Sequence, residues 1–283
     1  MTPTETETQP GASARLAAAL RKRYGADVVA AADRTSETVE LQLRHRTVRR
    51  FLPGAINDAT LQLIVAAAQS ASTSANFQFT SVVNVRDPGR RDRLARHAAD
   101  QQLVRDAALF LVWVADWSRS REIAIAHGHP TAGADYLDST LSSVVDVALA
   151  AQNAALAAES LGYGITFVGA LRNEVDAVCA ELRLPPWTFP LFGLAIGIPD
   201  PADPADVKPR MPQSVVLHEE TYTPFAQADI DAYSERIGRY YREQERPEDW
   251  VRERLAWRIS SKDGLDGRHT MRASFGKQGF PLR

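Results

Sequence analysis

Two groups of cationic side chains stand out by type and by spacing. The stretch RHRTVRRF, residues 44–51, sets His45, Arg46 and Arg49 around the hydroxyl of Thr47, with Val48 and Phe51 as its apolar positions. Far along the chain, the tripeptide KPR places Lys208 and Arg210 on either side of Pro209, just past an apolar run. Proline fixes its own backbone angle, so the second pair of cations is pre-set. A guanidinium offers a planar fork to a phosphate and an ammonium offers a point charge. Each such charge-assisted hydrogen bond contributes about 1.5–3 kcal/mol. The chemistry these residues suit is therefore the binding of an anion. The run GYGITFVG lacks the spacing of a dinucleotide-binding glycine loop, and no P-loop sequence occurs, so such a site is built from side chains. The first cluster alone reads more readily as a solvated turn; its pairing with KPR shifts the reading toward the anion site.

The bulk composition narrows the anion. Lys and Arg total 33 against 35 Asp and Glu, a formal net charge of −2. Affinity for a phosphate polymer rests on excess positive charge, so a small ligand fits better than a nucleic acid. The only thiol, Cys179, lies in EVDAVCAELRL and reads as a small buried apolar group. The polar, acidic start lacks the basic and apolar regions of a secretory signal. The most apolar long stretch, 139–162, carries Asp146, Gln152, Asn153 and Glu159, which a lipid-facing span rarely does. The expectation is a cytoplasmic protein without a membrane span. His127 and His129, in HGHP, have no carboxylates beside them and read as a surface loop, so no metal is expected.

The elements that must position these groups follow from periodicity. A helix is expected before Gly25, with more helix after it. NDATLQLIVAAAQSA starts on an Asn57/Asp58 cap and keeps helical spacing. SASTSANFQ, 70–78, is a loop of small polar residues, and FTSVVNVRD alternates as a strand. Residues 88–106 read as helical, and AALFLVWVADW reads as a strand buried on both faces. A long helix rich in small residues over 138–161 stops at Gly162, a good C-terminal residue. It runs through the centre of a domain or packs on a copy of itself. GITFVGAL is a strand, NEVDAVCAELRL a helix capped by Asn173, and FPLFGLAIGIP a strand. Two charged helices follow from about 226. Four strands separated by helices or loops make an α/β or α+β layered domain.

Taken together, RHRTVRRF, SASTSANFQ, AAQNAALAAESLGYGITFVGALRN, FPLFGLAIGIP and KPRMP resemble the FMN-dependent nitroreductase family, over roughly residues 38–283. Within it they are most similar to the NADPH-preferring branch of oxygen-insensitive nitroreductases and flavin reductases P. The resemblance implies an α+β fold: a three-layer sandwich around a central mixed or antiparallel sheet, in a domain-swapped homodimer with FMN at the subunit interface. It implies an added N-terminal arm over 1–37, partly disordered, an FMN-binding core over 38–225, and a C-terminal helical extension over 226–283 that wraps the partner. His45, Arg46 and Thr47 would surround the FMN phosphate and ribityl chain, with Lys208 and Arg210 closing from the other side. Arg49 would reach the pyrimidine edge and stabilise the reduced flavin. Thr73, Ser74, Asn76 and Gln78 would line the ribityl chain and ring edge, some from the second subunit, and Gln101 would touch the ring. The backbone of Val168 and Gly169 would approach N5, where hydride arrives. Arg242 and Arg246 would meet the 2′-phosphate of NADPH. The sequence departs from the family pattern at Thr47, where serine is usual, and at Ala170, which replaces a second glycine.

On this resemblance NADPH delivers hydride and leaves, and a nitroaromatic, a quinone or free flavin then takes two electrons in its place. The flavin carries the chemistry, so no side chain acts as nucleophile or base. The alternative, from a different class, is an FMN-holding sensor or carrier on the same fold without turnover.

Overall fold

In the computed structural model, which describes residues 11–25, 34–245 and 248–283, the long apolar run forms β3 (Leu109–Asp116), and every one of its side chains is buried. Successive strand residues point to opposite faces. Leu109, Leu111, Trp113 and Ala115 accordingly join one apolar cluster, while Phe110, Val112 and Val114 join another. The first face is covered by α3 (Asp58–Gln69) and α7 (Leu137–Ser160), the second by α4 (Pro88–His97) and α5 (Gln102–Asp106). Helix, sheet and helix make three layers, which is why this strand lacks a polar face.

The sheet is antiparallel. β3 pairs with β2 (Thr80–Asn84) on one side and β5 (Thr188–Pro199) on the other. The far edge of β5 carries β4 (Gly164–Val168) and the two-residue β1 (Phe51–Leu52). The expected mixed character reduces to one isolated parallel bridge, Thr47 with Ile165. β1 makes a fifth strand beyond the four expected, too short to show an alternating pattern.

Two compact units divide the chain. One, the sheet unit, comprises 47–203 with 257–283; the other, the helical unit, comprises residues up to 46 with 204–256. The boundaries expected at 37 and 225 do not coincide with this division. Within the helical unit lie α1 (Ala12–Tyr24), α2 (Glu37–Arg44) and α9 (Gln227–Glu243). Leu16, Tyr233 and Ile237 are buried within it. The helix expected just after Gly25, and the disorder expected within the arm, fall on residues outside those described.

The rest of the sheet unit bears out most local expectations. Asn57 caps α3, its Oδ1 accepting from Thr60 N at 2.8 Å. α7 is followed by Gly162 at φ +84, in the left-handed region. Asn173 does not cap α8 (Val175–Leu182); it ends a short 3-10 turn, and its side chain accepts from Arg268 Nε at 2.8 Å. The last residues return to their own chain. α10 (Trp257–Ser260) and α11 (Met271–Lys277) precede a tail in which Phe275 stacks on Phe189 at 3.7 Å and Arg283 N donates to Asp135 O at 3.0 Å. Residues 271–283 thus make these contacts within their own chain. The rings of Phe275 and Phe280 pack against each other and against Phe189 and Trp187.

α7 combines two surfaces. Val147, Ala150, Ala151, Ala154, Ala155 and Ala158 are buried on the sheet, where small side chains allow close approach. Leu137, Leu141, Val145 and Leu149, spaced by four, form an exposed stripe along its outer face. By length and composition α7 is apolar enough to cross a membrane. Its fully buried Asp146 is nonetheless hydrogen-bonded within the unit.

Candidate functional site

In the helical unit, one buried guanidinium gathers the two cationic segments. Arg23, at the end of α1 and 5% exposed, donates through Nη2 to the carbonyls of Leu43 and His45, each at 2.8 Å. Its Nη1 donates to the carbonyl of Lys208 at 2.9 Å. Its own carbonyl accepts from Arg210 N at 2.8 Å. The backbones on which His45, Arg46, Lys208 and Arg210 stand therefore meet around a single side chain.

Other groups hold the KPR loop from α9 and α1. Tyr240 Oη donates to Asp206 O at 3.0 Å. Lys208 Nζ lies 3.4 Å from Tyr241 Oη and 5.2 Å from the centroid of that ring. Arg210 Nη1 folds back to the Lys208 carbonyl at 3.4 Å, the oxygen that Arg23 also uses. Lys22 pairs with Asp206 at 2.8 Å. Burial pushes the Asp206 carboxyl up, but the Lys22 hydrogen bond, the Val207 N–H and the charges of Lys22 and Arg46 together hold it below its ordinary value. Arg242 sits exposed in the last turn of α9, directly after the tyrosine that meets Lys208. Arg246 lies outside the described residues.

The sheet unit carries the other candidates. Val48 N donates to Ile165 O at 2.9 Å, tying Thr47 and Val48 to β4. Arg49 is exposed and its main-chain N reaches Asp203 Oδ2 at 3.5 Å. The Ser/Thr loop is pinned by α7: Asp146 accepts from Ser74 N at 3.0 Å on each oxygen and from Ser74 Oγ at 2.8 Å. Asp146 is thus hydrogen-bonded inside its own chain. Ala75, Asn76 and Gln78 follow in the left-handed region, at φ 46, 58 and 59. This unusual path turns Thr73 and Gln78 toward a cavity of about 820 Å³ between α3 and β2. Ser74 and Phe77 face a second cavity, of about 390 Å³, beside Trp117 and, on α6 (Ser118–Ala126), Arg121. Gln101 precedes α5, its Nε2 bonded to Ala98 O at 2.8 Å. Val168 is buried at the end of β4, and Gly169 opens the 3-10 turn that follows.

The sequence reading missed Arg23 and a second arginine group. Arg172 and Arg268 are both depressed, each chiefly by burial, and both feel the charge of Arg258. Arg172 stands beside Gly169: a Cβ added there would lie 3.4 Å from its Nη2. For Arg23 a signal existed. It lies seven residues after Leu16, on the same helical face, where an apolar residue is normal. For Arg258 and Arg268 no spacing in the sequence foretold their meeting with Arg172.

The nitroreductase family profile matches residues 43–198, and the profile of the family's C-terminal domain matches 208–283. The chain belongs to the nitroreductase family. An oxygen-insensitive NADPH nitroreductase of Salmonella typhimurium is 38% identical over 206 residues, 73% of this chain and 83% of the relative. An FMN reductase (NADPH) of Bacillus subtilis is 37% identical over 76% of this chain and 88% of its own length. The solved structure of NfrA1 from B. megaterium superposes with a TM-score of 0.81 at 37% identity, covering 87% of this chain and all of that one. The α+β nitroreductase fold is thus established. Arg23, the residue that joins the two cationic segments, precedes both matched regions of this nitroreductase.

Proposed function

We propose that this chain is an NADPH-dependent FMN oxidoreductase that reduces nitroaromatics, quinones or free flavin, working as a homodimer in the cytoplasm. The carrying observation is the meeting of the His45 and Lys208 backbones on the Arg23 guanidinium. It supports a shared phosphate site, because the two segments carry the donor types a phosphate monoester suits: guanidinium forks on Arg46 and Arg210, an ammonium on Lys208 and an imidazole on His45. The names of the relatives, an NADPH nitroreductase and an FMN reductase, support the same cofactor and donor.

FMN, when bound, would supply two-electron redox chemistry between NADPH and the acceptor. The chain's own residues bind and orient. His45, Arg46, Lys208 and Arg210 hold the phosphate. Following the resemblance, Thr47 holds the ribityl chain, Arg49 faces the pyrimidine edge, and Thr73, Ser74, Asn76, Gln78 and Gln101 line ribityl and ring edge. The backbone of Val168 and Gly169 keeps the ring's reactive edge approachable, and Arg242 and Arg246 meet the 2′-phosphate of NADPH. The exposed stripe of Leu137, Leu141, Val145 and Leu149 on α7 supports the homodimer, because four large apolar side chains in a row are rarely left in water. A cytoplasmic site agrees with a single buried thiol that needs no oxidising compartment.

The test is an anaerobic titration. The flavin-loaded protein should lose its visible absorbance with NADPH and regain it with a quinone or a nitrofuran. A protein that binds FMN but keeps its colour under excess NADPH fits the sensor or carrier reading. A chain that cannot be loaded with FMN refutes both.

A further inference from the structure

Arg23 lies before both regions that the family profiles match, yet it is buried at the centre of the residues assigned to the phosphate. We propose that α1 is part of the anion site and that Arg23 is its positioning residue: it fixes the RHR and KPR segments relative to one another so that their cations address one phosphate. The proposal rests on the FMN reading above and deepens it.

The geometry is specific. Three carbonyls, those of Leu43, His45 and Lys208, lie within 2.9 Å of the two terminal nitrogens of one planar group. A guanidinium directs its N–H bonds in a rigid plane, so three such bonds fix both the distance and the angle between the two segments. The fourth link runs the other way, from Arg210 N to Arg23 O at 2.8 Å. α1 itself is anchored on both sides. Arg15 Nε donates to Glu40 of α2 at 2.9 Å, and Lys22 binds Asp206 at 2.8 Å.

An electrostatic reason calls for such a clamp. His45, Arg46, Lys208 and Arg210 repel one another when protonated, and a phosphate compensates them only once it is bound. Without an internal tie the two segments would spread in the empty site, and binding would have to order them. Pre-ordering removes that cost and returns it as affinity. The tie runs to neutral backbone carbonyls, so it orders the two segments through their main chains. Arg23 touches backbone alone through these bonds and is assigned no contact with the flavin.

The experiment is a fluorescence titration of the flavin-free full-length chain with FMN and, separately, with riboflavin, which lacks the phosphate. Wild type, R23K and R23A are compared, with thermal midpoints of each unliganded protein. Arg23→Ala should weaken FMN by at least about tenfold while riboflavin changes by less than about twofold, and Arg23→Lys should fall between. Should R23A lose cooperative unfolding, R23K decides on the same ratio of the two flavins. FMN affinity in R23A within about twofold of wild type would overturn the proposal, as would equal losses for both flavins, which indicate general support of the fold. A wild-type chain that binds no FMN would overturn the cofactor reading and this proposal together, whereas an unaffected variant of an FMN-binding wild type overturns this proposal alone.

Discussion

Removing the carboxylate of Asp146 should loosen the Ser/Thr loop and lower stability by a calculable amount. The side chain is 2% exposed and accepts two donors, Ser74 N shared between its oxygens at 3.0 Å and Ser74 Oγ at 2.8 Å. A hydrogen bond to a charged group contributes about 1.5–3 kcal/mol, so two sum to about 3–6 kcal/mol. Part of that is offset, because the variant no longer desolvates a carboxylate. The expected net loss for Asp146→Ala is about 2–4 kcal/mol. With about 2.1 cal/mol/K of unfolding entropy per residue over 283 residues, near 0.6 kcal/mol/K, the thermal midpoint should fall by about 3–7 °C. Asp146→Asn keeps one carbonyl oxygen for Ser74 and should lose about half as much. Scanning calorimetry of the unliganded protein at neutral pH measures both. Limited proteolysis should show new cleavage within 73–78 in the alanine variant, because Ala75, Asn76 and Gln78 hold left-handed conformations that the anchor helps maintain. An alanine variant within about 1 °C of wild type and cut no faster would refute the reasoning.

Glu181 bridges Arg93 and Arg90 at 2.8 and 3.0 Å, and chiefly the Arg93 hydrogen bond lowers its carboxyl from an ordinary 4.5 to about 2. A depressed folded-state value stabilises above the unfolded one, so the midpoint gap between wild type and Glu181→Gln should be constant above about pH 5 and close as pH falls toward 2; a gap that widens with acid contradicts this. Gly164→Ala would set a Cβ 2.8 Å from three side-chain atoms of Val48, costing about 1–3 kcal/mol in chemical denaturation, and Val48→Ala in the same chain should recover part of it; simple additivity of the two losses would show that they do not meet. Burial, with a smaller push from Asp176, raises the Cys179 thiol to about 12, so a thiol reagent at pH 8 should label the chain in denaturant but not in buffer, and fast labelling of the native protein would contradict its burial.

Much of the architecture was legible in the amino-acid order because it follows from local rules. The buried run Leu109–Asp116, the Asn57 cap, the small-residue helix that stops at Gly162 and the alternation in Thr80–Asn84 each declare their element within a short window. The cationic motifs were legible too, as residue types suited to a phosphate. Their assembly was not. The division of RHRTVRRF between two compact units, the Ser74 anchor on Asp146 and the return of Phe275 onto Phe189 join residues far apart in sequence, which no local periodicity encodes. Arg23 shows the difference most sharply. Its position on the Leu16 face announced only a cation where an apolar side chain was due. That it clamps His45 to Lys208 was decided by the tertiary structure, because a buried guanidinium must satisfy its donors with whatever carbonyls the fold brings within reach.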